Sequence, residues 1–218
     1  MREVVLIGSP VAHSLSPVMQ NAAFEACGLD WSYRAVDVAP GELADLVRGL
    51  DAGANVTAPY KLDVARLVGS NLPSVNTLVV RDGAVEAHST DAAALHGLAF
   101  DRPAIIGDGG AAVAFRQAMP GAEVFSRRGT WPPDVRSFDL VVNATPVREE
   151  VLAELGPGQT LVDLPYPETA TAAAAREVGA RVIGGLEVLV AQGAASFELW
   201  TRLPAPVAAM RSAVGLPE

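Results

Sequence analysis

Cysteine is almost absent from this 218-residue chain, with Cys27 alone. That excludes an internal disulfide and any cysteine-rich metal site. Histidine is scarce too, and His13, His88 and His96 have no spacing that suggests a metal, so none is expected. Basic residues are outnumbered, 16 Lys+Arg against 25 Asp+Glu for a formal net charge of −9. Such a balance argues against a general nucleic-acid or membrane-surface binder, while a small anionic ligand needs only a local site. No apolar run reaches about 18 residues and no basic-plus-apolar leader opens the chain, so the expectation is a soluble, cytoplasmic protein. Lysine is nearly missing: 15 of the 16 cations are arginine, and the exception is Lys61. A leftover surface lysine is one reading. The other is a task that needs an exchangeable proton, which guanidinium does not offer.

What is present is apolar and rhythmic. Half the residues are hydrophobic and 19% are charged, which fits a folded chain with a sizeable core. Strand-length apolar runs alternate with helical patterns, the signature of βαβ units. Strands are expected at Val4–Ile7, Tyr33–Val38, Ala54–Val56, Asn76–Val80 and Ala84–His88, the last two joined by an Arg81-Asp82-Gly83 turn. A helix is expected from Ser16 as N-cap, with Pro17 in its first turn, to Gly28, and another over Pro40–Leu50. The pattern restarts after Asp101-Arg102-Pro103. Strands are expected at Ala104–Ile106, Glu123–Phe125, Leu140–Asn143 and Leu161–Asp163, with helices at Ala111–Met119, around Ala172–Ala175, at Val188–Thr201 and at Pro204–Val214. Arg148-Glu149-Glu150 reads as a solvated helix start. The fold class is therefore α/β. The restart of the pattern places a domain boundary near residue 101.

Gly107-Asp108-Gly109-Gly110-Ala111 follows a strand and opens a helix. Glycines there allow a tight turn and close backbone approach, and the helix N-terminus offers N–H groups to a pyrophosphate. The same pattern also fits a plain strand-to-helix turn, and Asp108 is discordant because a carboxylate repels phosphate. The next strand ends in Ser126-Arg127-Arg128 with no acidic residue. An acid at that place marks NAD sites and a cation NADP sites, so NADP(H) is favoured; a solvated loop is the alternative for the arginines. In the first half, His13-Ser14-Leu15-Ser16-Pro17 places two hydroxyls at a strand-to-helix junction, as carboxylate binders or as caps. Asn55-Val56-Thr57 through Lys61 leaves a strand, Asn76-Thr77 begins another, and Ser89-Thr90-Asp91 closes the hairpin. An amine, a carboxylate, an amide and several hydroxyls suit a polyhydroxylated carboxylic acid.

These stretches, with Asn21, Val75 through Leu78, Val142-Asn143-Ala144-Thr145-Pro146 and Leu189 through Gln192, run in one order along nearly the whole chain. Together they resemble the shikimate dehydrogenases, including the related quinate/shikimate dehydrogenases. The resemblance implies an NADP-dependent oxidoreductase of aromatic amino-acid (chorismate) biosynthesis that reversibly reduces 3-dehydroshikimate to shikimate. It implies Lys61 and Asp91 as the catalytic pair and Ser14 and Ser16 as carboxylate binders. Thr57, Asn76 and Gln192 would be ligands of ring hydroxyls and of the reacting oxygen, with Tyr166 also on the substrate. Gly107, Gly109, Gly110, Ala111, Ser126, Arg127, Arg128, Asn143, Ala144 and Thr145 would hold the nucleotide. It implies an N-terminal α/β substrate domain (1–100), a Rossmann-like, doubly wound nucleotide-binding domain (101–187) with a cleft between them, and helices 188–218 packed back on the first domain. It also implies a small-molecule partner and a monomer or homodimer.

The sequence also departs from the family's pattern. Ser89 replaces an asparagine, Asn143 through Pro146 continues as Val147-Arg148-Glu149 rather than Gly-Met, and the stretch between Lys61 and Asn76 is short. A quinate or NAD preference, or a binding protein without turnover, are the alternatives these changes raise.

Overall fold

The computed structural model describes residues 1–217, which divide into two compact units. One comprises Met1–Thr90 with the chain from Val190 onward, and the other Asp91–Leu189.

In the first unit β1 (Arg2–Gly8) leads to α1 (Ser16–Ala26) and β2 (Trp31–Asp37). Helix α1 begins at Ser16 with Leu15 at the N-cap, so Ser16 is not the cap the sequence suggested; instead the Ser14 hydroxyl accepts the Ser16 N–H at 3.2 Å. Pro40–Glu42 forms a 3₁₀ turn before α2 (Leu43–Arg48), so the single helix expected over Pro40–Leu50 is split. Then come β3 (Gly53–Val56), α3 (Lys61–Leu67), β4 (Thr77–Arg81) and β5 (Ala84–His88). Asp82 (φ 51°) and Gly83 (φ 78°) both take positive φ, as a two-residue hairpin turn with the right twist requires.

The strands order as β2-β1-β3-β4-β5, parallel through β3 and antiparallel beyond it. Because α1 carries the chain from β1 to one side and β3 lies on the other, the sheet has a switch point at the β1/β3 carboxyl ends. Open α/β sheets bind ligands at such a point. Backbone bonds knit it: Thr57 N–H donates to Ile7 C=O (2.8 Å) and Ser9 N–H to Ala58 C=O (3.1 Å). Glycine is needed at Gly8, where a Cβ would lie 2.4 Å from Thr57 Cγ2.

The second unit opens with a 3₁₀ turn (Asp91–Leu95) and continues with β6 (Pro103–Ile106), α4 (Gly110–Ala118), β7 (Glu123–Phe125), β8 (Leu140–Asn143), β9 (Thr160–Asp163), α5 (Ala170–Glu177) and β10 (Arg181–Ile183). All five strands are parallel, in the order β10-β9-β8-β6-β7. Every residue of β6 and β8 is buried, because the sheet is covered on both faces: Ile105, Val142 and Val162 join Phe115 and Met119 on one side, and Ala104, Ile106, Val141 and Leu161 join Leu152 and Ala175 on the other. The order again reverses between β6 and β8, giving a second switch point. No helix starts at Arg148-Glu149-Glu150; the segment is an irregular loop, its position held by Ala170 N–H to Arg148 C=O at 2.7 Å.

The unit boundary falls within α6 (Gly185–Thr201), which α7 (Val207–Ala213) follows. From Val190 on, these helices cover the first sheet. Phe197 packs on Phe24 at 5.7 Å between ring centroids, Trp200 Nε1–H donates to Leu78 C=O (2.9 Å), and α7 packs on α1. Gly193 lets α1 and α6 touch, since a Cβ there would sit 2.2 Å from Met19 Cε.

Candidate active site

The carboxyl ends of β1 and β3 carry half of the residues singled out for substrate and catalysis: Ser14, Ser16, Thr57 and Lys61. Ser14, half-buried, lies in the loop after β1, and Ser16, 5% exposed, in the first turn of α1. Thr57, half-buried, follows β3. Lys61, half-buried, is the first residue of α3, positioned by two neighbours. Tyr60 is buried and anchors the turn through its hydroxyl, which donates to Val38 C=O (2.5 Å), and the Lys61 carbonyl accepts from Val75 N–H (3.2 Å). The lysine is thus fixed at its backbone on both sides.

Asn76, 2% exposed, immediately precedes β4. Its Oδ1 accepts the Thr90 N–H (2.7 Å), while its Nδ2 donates to Thr90 Oγ1 (2.9 Å) and, at 3.4 Å, to Gln192 Oε1 from α6. Thr90 in turn precedes Asp91, which is 6% exposed, so the Asn76 amide fixes the backbone one residue before Asp91.

Beneath these residues lies a buried network that sequence reading did not find. Asn55 accepts from Tyr33 Oη–H (2.8 Å) and donates to Asn76 C=O, Thr77 Oγ1 and Ser196 Oγ at 3.0–3.1 Å. Ser196 Oγ also lies 2.9 Å from Thr77 Oγ1 and 3.1 Å from Thr90 Oγ1, and its hydroxyl donates to Gln192 C=O (2.9 Å). The network holds no charged side chain, so it needs no counter-ion in the dry core, only complete pairing. The signal for it was an asparagine inside an otherwise apolar strand, Ala54–Val56. Its partner Ser196 is 141 residues away, which no local pattern reports.

The second switch point carries the nucleotide candidates. Gly107 follows β6 at φ 124°, where a Cβ would lie 3.0 Å from Ala144 C=O, so only glycine lets the β6 and β8 loops approach this closely. Helix α4 starts at Gly110 behind Gly109 as N-cap, with no side-chain cap, which leaves Gly110 and Ala111 in a first turn whose N–H groups suit an anion. A cavity of about 250 Å³ opens beside them, lined by Gly107, Asp108, Ser126, Arg127, Arg128 and Thr145, among others. Asp108 is exposed, with its carboxylate 3.6 Å from the Arg128 guanidinium. Arg127 pairs with Glu150 (3.3 Å) and stacks over Trp131 at 5.5 Å from the ring centroid.

Asn143 differs from the expectation of a nucleotide contact. It is fully buried, with Nδ2 donating to Asp163 Oδ1 (2.7 Å) and Oδ1 accepting from Thr145 N–H (3.1 Å) and Oγ1–H (2.8 Å). Its amide shapes the Ala144–Thr145 turn from below. Asp163 also accepts from Thr169 Oγ1–H (2.8 Å), whose hydroxyl oxygen caps α5 by accepting the Ala172 N–H. Burial pushes the Asp163 carboxyl up from its ordinary value, and the hydrogen bonds from Asn143 and Thr169 pull it only part of the way back. Tyr166 is half-buried in the loop between Asp163 and Thr169. Among the described residues, no group of His, Cys, Asp and Glu is placed to hold a metal, and no helix is long and apolar enough to cross a membrane.

Two family models match the chain, the shikimate dehydrogenase substrate binding domain over residues 6–78 and the shikimate 5'-dehydrogenase C-terminal domain over residues 185–214. The NADP(+) shikimate dehydrogenase of Moorella thermoacetica is 39% identical, covering 95% of this chain and 90% of the relative. That alignment runs over 266 positions although this chain has 218 residues, so the relative carries segments that this chain lacks. Among solved structures, shikimate dehydrogenase from Aquifex aeolicus superimposes with a TM-score of 0.88 at 27% identity, covering 99% of this chain and 98% of that one. The Thermus thermophilus enzyme in complex with NADP(H) and shikimate gives 0.80 at 30% identity, covering 98% of each.

Proposed function

The chain belongs to the shikimate dehydrogenase family, and we propose that the residues gathered at its two switch points carry that family's reaction. It is an NADP-dependent oxidoreductase, interconverting 3-dehydroshikimate and shikimate. The unit from Met1 to Thr90, with the helices after Val190, binds the substrate; the unit Asp91–Leu189 binds the nucleotide. The observation that carries the assignment of roles is the placement of Lys61. The chain's one lysine starts α3 directly after β3, in the same loop cluster as Ser14, Ser16 and Thr57.

Ser14 and Ser16 bind the substrate carboxylate through hydroxyls and the N–H groups of the first turn of α1. Thr57, Asn76 and Gln192 hold the ring hydroxyls and the reacting oxygen, and Tyr166 adds a contact near the ring. Lys61 hands a proton, or a strong hydrogen bond, to the oxygen as it gains charge, and Asp91 orients the ammonium and binds a neighbouring hydroxyl. The chemistry supplied by NADP(H) when bound is hydride transfer at the carbon that carries that oxygen. The cavity at the ends of β6 and β7, lined by Ser126, Arg127 and Arg128, suits the phosphate-bearing end of the nucleotide. Gly107, Gly109, Gly110 and Ala111 present backbone to the pyrophosphate, Ser126, Arg127 and Arg128 take the ribose phosphate, and Ala144 and Thr145 form the turn at the nicotinamide end, with Asn143 holding that turn from beneath.

The test is NADP+ reduction followed by nicotinamide absorbance with shikimate, then quinate, then each with NAD+. Shikimate with NADP+ is expected to give the highest kcat/KM. Turnover of quinate alone would reassign the substrate, and no turnover with either acid would leave a binding protein in place of an enzyme.

A further inference from the structure

The arginines of the nucleotide pocket are not free. Arg128 faces Asp108 from the glycine loop at 3.6 Å, and Arg127 faces Glu150 from the loop after β8 at 3.3 Å. Each guanidinium thus has its own carboxylate, and the two pairs sum to no formal charge. All four side chains are substantially exposed, from 42% for Asp108 to 86% for Arg128. Such pairs are weak and exchange readily with a better anion. The chain's overall acidity does not explain them, because both acids are aimed at the two cations beside Ser126, where a ribose phosphate would dock.

Resting on the NADP reading above, we propose that Asp108 and Glu150 are internal counter-ions that occupy the phosphate clamp and narrow the discrimination between NADP and NAD. The phosphate that distinguishes NADP carries about −1.5 to −2 charge near neutral pH. To reach Arg128 and Arg127 it displaces both carboxylates, and Asp108, tethered in the glycine loop, stays close enough to repel it. NAD presents a hydroxyl at the same place. That hydroxyl carries no charge for Asp108 to repel, and any repulsion of the pyrophosphate is common to both nucleotides, so Asp108 acts on the difference between them. Of the two acids, Asp108 has the larger effect: it lines the cavity, whereas Glu150 lies outside the lining.

Isothermal titration of the full chain with NADP+ and with NAD+ tests this, on wild type, Asp108→Asn, Glu150→Gln and Arg128→Ala. Asp108→Asn is expected to lower the NADP+ Kd about five- to tenfold while leaving the NAD+ Kd unchanged. Glu150→Gln should shift the ratio the same way by about twofold, and Arg128→Ala should move it in the opposite direction. An unchanged NADP+/NAD+ ratio in Asp108→Asn would overturn the inference. That includes equal tightening of both nucleotides, which would put the carboxylate's effect on the shared pyrophosphate. If Arg128→Ala alone shifts the ratio, the cofactor reading stands and the counter-ion role falls; if wild type binds neither nucleotide, both fall.

Discussion

The two switch points of this protein do similar work with opposite materials. At the first, Asn55, Asn76, Thr77, Thr90 and Ser196 form a buried, uncharged network with bonds of about 3 Å, closed at one end by the Tyr33 hydroxyl. At the second, the pocket is lined by exposed arginines paired to exposed carboxylates at 3.3–3.6 Å. A ring carrying several hydroxyls is distinguished by geometry, and geometry is fixed best by hydrogen bonds that water cannot replace. A nucleotide phosphate is distinguished by charge, which acts at longer range and tolerates side chains that move. Substitutions at the first site are therefore expected to cost stability and turnover together. Those at the second should change cofactor preference and leave the fold alone.

The most severe way to probe the first site is Lys61→Ala. It should lower kcat by roughly 10²- to 10⁴-fold, the usual contribution of general acid–base catalysis, while the NADP+ Kd measured by titration stays within about twofold. Next is Asn55→Ala, which leaves Tyr33 Oη, Thr77 and Ser196 short of a partner in the core. Denaturant unfolding should report a loss of about 2–4 kcal/mol, with a raised KM for shikimate as Asn76 loosens. If Asn55→Ala were as mild as a surface change, the contrast between the two sites would collapse.

Asp163 sharpens the comparison, because it is a buried acid under the second site. Its raised pKa means that the folded state holds the proton more tightly than the unfolded chain. Its contribution to stability is complete below the ordinary carboxylate value and is lost as pH rises through the folded value. Relative to Asp163→Asn, wild type should lose stability as pH rises above the ordinary carboxylate value, as read by unfolding midpoints. Identical pH profiles would mean that the carboxylate titrates normally. The smallest effect on stability belongs to Arg127→Ala, within about 0.5 kcal/mol by unfolding. It should nevertheless weaken NADP+ binding about tenfold relative to NAD+.

How far the sequence reaches depends on the range of the interaction. Glu123–Phe125 and Leu140–Asn143 are strands with the bounds their apolar runs suggest, since Gly, Pro and Asp punctuate them. Helix α3 was not anticipated: it is seven residues long, has no side-chain cap, and lies just after Pro59. Strand β10 is three residues long, and pairing with β9 defines it more than its own composition does. Pro40 starts a 3₁₀ turn because three residues suffice to redirect the chain before Leu43 and Val47 reach the core. The loop clusters were legible because their residue types sit at strand ends. Their supports were not: Ser196 to Asn55 and Asp163 to Asn143 are contacts made only when distant strands and helices come together. The ion pairs of Asp108 and Glu150 were hidden in the same way. Asp108 looked like an obstacle to phosphate, and its partner Arg128 lies on the neighbouring strand's loop.

The assignment of Lys61 as the proton donor is the claim on which the rest depends, and Lys61→Arg tests it most directly. The substitution keeps the positive charge and removes the exchangeable amine. Steady-state oxidation of shikimate with NADP+ should show kcat reduced by about 10²-fold or more, with KM for shikimate changed only a few-fold. A variant whose kcat stays within about threefold of wild type would contradict the account, because charge alone would then be enough.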